Sequence, residues 1–479
     1  IVAPYIGVSL FTWTSVIGVV LTGVALGSYA GGVWAKQQRS PLWMGRCLIW
    51  SALSILAIVY LVPLLGKWFE GSGVALWERA LLFSLTCFFA PAFFLSTLTP
   101  QLMQHFLSEV SHGGTMIGRL GAANAVGSLL GTVLAGFVLI PLIGTRWILI
   151  LAAALLLLSC LLVTRHQWSG KGLWALAIVF AFVGTIFVPT MCQRETNYYC
   201  IRVAKEQTSR GPWYLLRLDH LVHSYVDPDH PTHVGYGYEQ LYRRLIALHH
   251  DRGDAFASLF IGGGGYTLPR YLEALYPFAR ITVTEIDPGV THVNEELMGL
   301  ATSTRIHTAN EDARMFLRHA SSTDTYDLIF GDAFNDFSVP YHLTTQEFHQ
   351  EMKHHLTPGG IYALNIIDDV RYGFFLAAMM RTLRPVWRHV YLAPLGERLH
   401  AGRNTFVLIA TDEPIDPLVW EGVRAPSEAG SPEEEIDPNV FHLLSDGEVD
   451  AFLSAHPAPP LRDDYVPVDR YLAPIFHDA

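Results

Sequence analysis

A chain of 479 residues with 51% hydrophobic residues, a formal net charge of −11 and a mean hydropathy of +0.29 is too apolar for an ordinary soluble protein. Its acidity gives no support to nucleic-acid binding. Nearly all the apolar excess lies before residue 195, while Asp, Glu, His and Arg crowd the remainder. Composition therefore divides the chain into a polytopic membrane domain (1–193), a β-hairpin region (194–235) and an α/β domain (236–479).

A bilayer core needs roughly 20 apolar residues per helical span. The candidates are 7–34, 43–65, 78–99, 117–142, 147–164 and 172–190, an α-helical transmembrane bundle of about six helices. The spacings Gly23–Gly27, Gly27–Gly31 and Gly127–Gly131 let helices approach closely, which argues for a packed bundle. The opening IVAPYIG reads as a helix entrance; a further helix upstream is an expectation, and no cleavable signal peptide is read. Cys47, Cys87, Cys160, Cys192 and Cys200 lack Cys-x-x-Cys spacing, so they are expected to be buried apolar thiols, with neither zinc nor a disulfide framework.

After Arg194 strands and helices alternate. ETNYYCIRVAKE and WYLLRLD predict a small β-hairpin around TSRGP. A helix over 236–250 leads to strand ASLFI (257–261), a glycine turn and a helix ending near Tyr276. Strands ITVTEID (281–287), RIHTA (305–309), YDLIFGDAF (326–334) and IYALNII (361–367) follow, separated by helices, the last from about Thr345. Short apolar strands alternating with amphipathic helices predict a Rossmann-like, mostly parallel sheet with ligands at the carboxyl ends of its strands.

The candidate site lies at those ends. Gly262, Gly263, Gly264 and Gly265 directly follow ASLFI, so the backbone turns sharply and comes close to a nucleoside. Glu285 ends the next strand, where a carboxylate accepts hydrogen bonds from ribose hydroxyls; Asp287 stands beside it. Asp312 in NEDAR is a candidate acceptor from an adenine amino group, or a helix N-cap. Asp332 in GDAFND lies at the centre of the sheet, where a carboxylate takes a proton from an attacking nucleophile.

ETNYYCIRV, LRLDHLVHSYV, the glycine turn with TLPR, TEIDP, NEDAR and GDAFND follow one another as in the spermidine synthases (polyamine aminopropyltransferases), which the chain resembles from about Glu195 to Ile367. The closing DDYVPVD (463–469) looks like the ending of membrane-fused relatives with a polytopic N-terminal domain. The resemblance implies a class I S-adenosylmethionine-type transferase fold and transfer of an aminopropyl group to a small amine of the putrescine or spermidine type. The family's donor is decarboxylated S-adenosylmethionine, methylthioadenosine is released and no metal is needed; the loss of the acid at Gly265 adds intact S-adenosylmethionine as a candidate donor. It also implies that 194–235 covers the substrate, that Glu285 holds the ribose and Asp312 the adenine, and that Asp332 is the general base. Asp219, His220, Tyr236, Tyr238, Asn335 and Asp336 are candidates for the acceptor pocket. The family's usual dimer leaves a homodimer open.

Two departures restrict the resemblance. The family usually reads GGGDGG at the turn, its Asp contacting the donor's amine, whereas this chain reads GGGGYT, with Gly265 at the acidic position. The second Asp of the family's D-x-x-D pair aligns with Asn335, with Asp336 as a neighbouring substitute. His220, His223, His230 and His233 crowd one stretch, but their spacing matches no closed tetrahedral metal pattern. A methyltransferase, which shares the glycine turn and ribose acid, and a nucleotide-sensing membrane transporter are the alternatives.

Lys36, Arg39, Arg46, Arg119, Arg165 and Lys171 outnumber Lys67, Arg79 and Arg146 in the alternate loops. Six crossings then put the C-terminal half outside. The cytosolic origin of the donor points the other way, so the expectation is an inner- or plasma-membrane protein with a cytoplasmic catalytic domain and one miscounted span.

Overall fold

The computed structural model describes residues 1–479 except 8–9, 38–40, 70–73, 75, 108–112, 165–181, 186, 189, 209–210, 322, 334–338, 397–398, 400–401, 424–441 and 474–479. The chain divides into two compact units, Ile1–Cys200 and Ile201–Ala479.

The first unit is helical. Among the described residues four helices are long and apolar enough to cross a membrane: Phe11–Gln37, Pro41–Phe69, Trp77–His105 and Gly114–Thr164. The last breaks at Gly144, whose φ of 76° and ψ of 162° are not helical, at the division expected between two spans. The expected sixth span lies largely outside the described residues. Gly23, Gly27 and Gly31 press against Ala92, Phe93 and Thr97 in turn, so the first and third long helices run parallel with backbones in close contact. Gly127 and Gly131 instead meet nothing within 4 Å. Their spacing therefore predicts a contact that is not made among the described residues, because small residues permit close approach without selecting a partner.

Pro41–Phe69 runs antiparallel to Ile140–Thr164: Gly45 lies against Cys160 and Thr164, and Ala52 and Ile55 cluster with Ile150 and Ala153. Tyr5, packed against Gly66, thus shares one end of the bundle with the Gly144 break. The chain leaves the bundle at that same end. Arg146 donates to the Val188 carbonyl at 2.7 Å, and the Thr145 N–H and hydroxyl donate to Glu195 at 2.7 and 3.1 Å.

Cys192 and Cys200 form a disulfide, against the expectation of free thiols. A turn closed by the Thr196 N–H on the Tyr199 carbonyl brings their Cα atoms to 5.2 Å, a fold-back that composition does not reveal. Cys47, Cys87 and Cys160 are free and buried as expected.

The second unit opens with β1 (Cys200–Thr208), β2 (Gly211–Leu218) and β3 (Leu221–Val226) in an antiparallel meander. The hairpin is as expected; β3 is additional. Helix α1 (Gly237–His249) leads to β4 (Ala257–Ile261), α2 (Thr267–Leu275), β5 (Arg280–Thr284), α3 (Pro288–Leu297), β6 (His307–Ala309), α4 (Ala313–His319) and β7 (Tyr326–Gly331). Then come α5 (Gln346–His354), β8 (Leu356–Asp369), α6 (Phe374–Leu383), β9 (His389–Pro394) and β10 (Arg403–Thr411). The large sheet has the order β9-β10-β8-β7-β4-β5-β6, parallel from β8 to β6, with the antiparallel pair β9 and β10 at one edge. All five residues of β4 are buried, as expected of a central strand covered on both faces. This is the expected Rossmann-like α/β fold.

Register then positions the site. Ile261 pairs with Thr284 and with Gly331, Thr284 with Ala309, and Gly331 with Leu364. The next residues, Gly262, Glu285, Asn310, Asp332 and Asn365, therefore emerge level with one another. Chain order reverses between β4 and β7, the crevice in which open α/β sheets bind ligands.

Candidate active site

The glycine turn is shaped by φ angles that a side chain resists: 99° at Gly262 and 50° at Gly264. A Cβ on Gly262 would also stand 2.5 Å from the Asp332 carbonyl oxygen. The Gly263 N–H donates to Glu285 Oε2 at 2.8 Å, and the Asp287 N–H to Oε1 at 2.9 Å. Glu285 is buried, and desolvation pushes its pKa above the usual carboxylate range against those two bonds. Both carboxylate oxygens keep lone-pair capacity for a diol.

At Gly265 the structure gives a reason for the missing acid. Its N–H donates to Ser224 Oγ at 2.8 Å, and a Cβ would come within 2.6 Å of both Ser224 Cβ and Val226 Cγ2. Strand β3 occupies the space that a side chain would need.

Asp332 is partly buried, its carboxylate held between two donors. The Tyr238 hydroxyl donates to Oδ2 at 2.6 Å and Asn365 Nδ2 to Oδ1 at 2.9 Å. Desolvation pushes the Asp332 pKa up, and the two bonds oppose it. Tyr238, an acceptor-pocket candidate, is thus brought onto the candidate base, and Tyr236 stacks on it at 5.7 Å while donating to the Val222 carbonyl. Asp219 and His220 form the turn between β2 and β3, Asp219 with φ of 52°, at the opposite end of β3 from the glycine turn. Asn335 and Asp336 lie outside the described residues.

Two acids also serve as helix caps. Asp287 Oδ1 accepts from Gly289 at the start of α3, which accounts for its burial. Asp312 caps α4 through Met315, and its Oδ2 lies 2.7 Å from His342 Nε2. Desolvation works to raise the Asp312 pKa, but the bonds from His342 and Met315 outweigh it and hold the group below its ordinary value.

Sequence reasoning missed Glu239, Asn365 and His342. Glu239 is fully enclosed, bonded to Thr267 and to the Tyr236 N–H, and desolvation pushes its pKa up to about 7. Its signal was legible, an acid three residues after Tyr236 as in a capping box. Asn365 had none, because its place follows from strand register alone.

Chain order thus reverses beside the glycine turn, with Glu285 and the partly buried Asp332 level on the two strands that flank β4. Residues 249–369 match the family model of the spermine/spermidine synthase domain. A polyamine aminopropyltransferase of Vibrio vulnificus is 30% identical over 201 residues, 41% of this chain and 65% of its own length. The second unit thus carries a stretch, 249–369, that matches the spermine/spermidine synthase domain. A polyamine aminopropyltransferase of Corynebacterium efficiens is 26% identical over 348 residues, 65% of each chain. A solved structure, a probable spermidine synthase from Corynebacterium glutamicum, superposes with a TM-score of 0.46 at 20% identity, over 55% of this chain and 93% of that one. The chain spans just under two thirds of the Vibrio vulnificus relative's length. Gly262, Glu285, Asp312 and Asp332 all fall inside the matched region, whereas Asp219, His220, Tyr236 and Tyr238 precede it.

Proposed function

We propose that the second unit is an aminopropyl-type transferase acting on a small amine, with Asp332 as general base and with decarboxylated S-adenosylmethionine giving up an aminopropyl group or S-adenosylmethionine its aminocarboxypropyl counterpart. The observation that carries this reading is the partly buried Asp332, held by Tyr238 and Asn365 level with Glu285 across the switch in strand order. The acceptor nitrogen forms a bond to the donor carbon on sulfur. The carbon–sulfur bond breaks, its electron pair stays on sulfur, neutral methylthioadenosine leaves, and the amine proton passes to Asp332. A sulfonium needs no acid to depart, so alignment and one proton acceptor supply most of the requirement. Glu285 would hold the ribose, the Gly262–Gly265 backbone would cradle the nucleoside, and Asp312 would take the adenine amino group. Because Gly265 carries no acid, a carboxylate on the donor's tail meets no repulsion there, which opens the site to intact S-adenosylmethionine. Mass spectrometry with each donor, with and without putrescine and spermidine, tests the reading. Asp332-dependent methylthioadenosine supports it, S-adenosylhomocysteine makes the protein a methyltransferase, and tight nucleotide binding without turnover makes it a sensor or transporter.

We propose further that the first unit spans a bilayer with the second unit on the non-cytoplasmic side, opposite to the cytoplasmic expectation. Lys36 and Arg46 stand at the end of the bundle away from the Gly144 break. The positive-inside tendency makes that end cytoplasmic. The chain leaves from the other end, and the Cys192–Cys200 disulfide at the exit suits an oxidising compartment. A charged sulfonium does not cross a bilayer unaided, so this orientation requires a route for the donor.

A further inference from the structure

The segment joining β3 to α1 reads DPDHPTH, and its geometry supports a site that histidine spacing alone conceals. Asp227 is almost fully buried at the end of β3. Its Oδ1 accepts the backbone N–H groups of Asp229 and His230, both at 3.2 Å, which fixes the carboxylate plane. Its Oδ2 lies 3.1 Å from His230 Nδ1 and 3.0 Å from His233 Nδ1. The two rings stack with centroids 4.9 Å apart, so both present the same nitrogen to one point, and the three ligand atoms lie within 4.8 Å of one another. The turn is closed by the His233 N–H on the His230 carbonyl and stiffened by Pro228 and Pro231.

We propose that Asp227, His230 and His233 bind a divalent transition-metal ion of the zinc type. Bonds of about 2.0–2.1 Å to nitrogen and oxygen in tetrahedral geometry set ligand atoms roughly 3.3 Å apart, so the two Asp–His separations need only a few tenths of an ångström of opening, and the two imidazole nitrogens, within 4.8 Å of each other, close on the ion by rotation of their rings. A single imidazole N–H would be enough to serve Oδ2, yet two rings converge on it. The His230 side chain is 45% exposed and that of His233 15%, which gives an entry path and leaves a fourth position for water. An aspartate supplies the third ligand, which is why a search for closed sets of histidine and cysteine passes over the segment.

The ion would act as a clamp. Upstream of the segment, Ser224 and Val226 pack at Gly265, and downstream Tyr236 and Tyr238 lead to Asp332. Fixing residues 227–233 therefore fixes the protein segment that touches both sides of the candidate active site, a positioning role that rests on the aminopropyltransferase reading, although the binding itself does not.

The test uses full-length protein without a histidine tag, stripped with chelator in detergent and titrated with Zn²⁺ by calorimetry and with Co²⁺ by visible absorption. One equivalent per chain, a Co²⁺ spectrum of low coordination number and a Zn²⁺-dependent rise in melting temperature are expected. Asp227→Asn retains an oxygen for the backbone bonds and His230→Gln alters a half-exposed ring, so both should fold yet lose the stoichiometric site and the rise. No binding by the unaltered protein, unchanged binding in both variants, or binding of Ca²⁺ or Mg²⁺ in place of Zn²⁺ and Co²⁺ would overturn the proposal. Because the readout is binding, it is separate from whether the protein transfers an aminopropyl group.

Discussion

At the scale of single residues, two carboxylates on the strands flanking β4 carry different expectations because their partners differ. Asp332 has a hydroxyl and an amide as donors and no cation among its described partners, so desolvation dominates and leaves it a stronger base than an exposed aspartate. Asp332→Asn is expected to lower turnover about 10²–10⁴-fold with donor affinity nearly unchanged, as measured by product formation beside calorimetric binding. In the unaltered protein kcat/KM should rise with pH along a limb whose midpoint lies above the ordinary aspartate range, since only the ionised carboxylate accepts the proton. Glu285, tied to backbone N–H groups of the glycine turn, should behave in the opposite way: Glu285→Gln weakens donor binding by roughly ten- to hundredfold, the loss of a charged hydrogen-bonded partner. Glu285 and Asp332 were legible because each follows an apolar strand directly. Glu239 was legible only as a capping glutamate, not as a partner of Thr267, and Asn365 was not legible at all, since it is level with Asp332 only through the pairing of β7 and β8.

At the scale of elements, the strands of the parallel sheet were readable because burial on both faces demands uninterrupted apolar runs such as ASLFI. LVHSYV was harder, because its burial is graded from partly to fully enclosed along an antiparallel strand with polar residues inside. That overlooked strand decides what the glycine turn tolerates. Gly265→Asp would restore the family's acid in sequence, but Ser224 and Val226 stand where its Cβ must go. The substitution is expected to cost about 1–3 kcal/mol by overpacking, read as a lower thermal midpoint, with no gain in affinity for the decarboxylated donor.

At the scale of the whole molecule, the buried His349 and the partly buried His223 both lower stability towards acid. Desolvation holds His349 down to about 3 and His223 down to about 4, so both stay neutral in the fold while the unfolded chain takes up protons below about 6.5. Proton uptake by the unfolded state alone means that their contribution is fully present above about 6.5 and is lost as pH falls below it. His349→Phe, which cannot be protonated, should narrow the difference in melting temperature between pH 7 and pH 5. Reporter fusions to the C-terminus test the orientation: active alkaline phosphatase supports the non-cytoplasmic side, and fluorescent cytoplasmic reporter would restore the original expectation. The division into an apolar half and an α/β half, the order of the strands, and the acids at their ends were determined by the sequence itself, because burial and backbone conformation act locally on composition and period. Which glycines pack, which end of the bundle releases the chain, that Cys192 meets Cys200, and that one aspartate gathers two histidines were decided only by tertiary structure. Each of these depends on distances between groups whose separation along the chain does not state their separation in space.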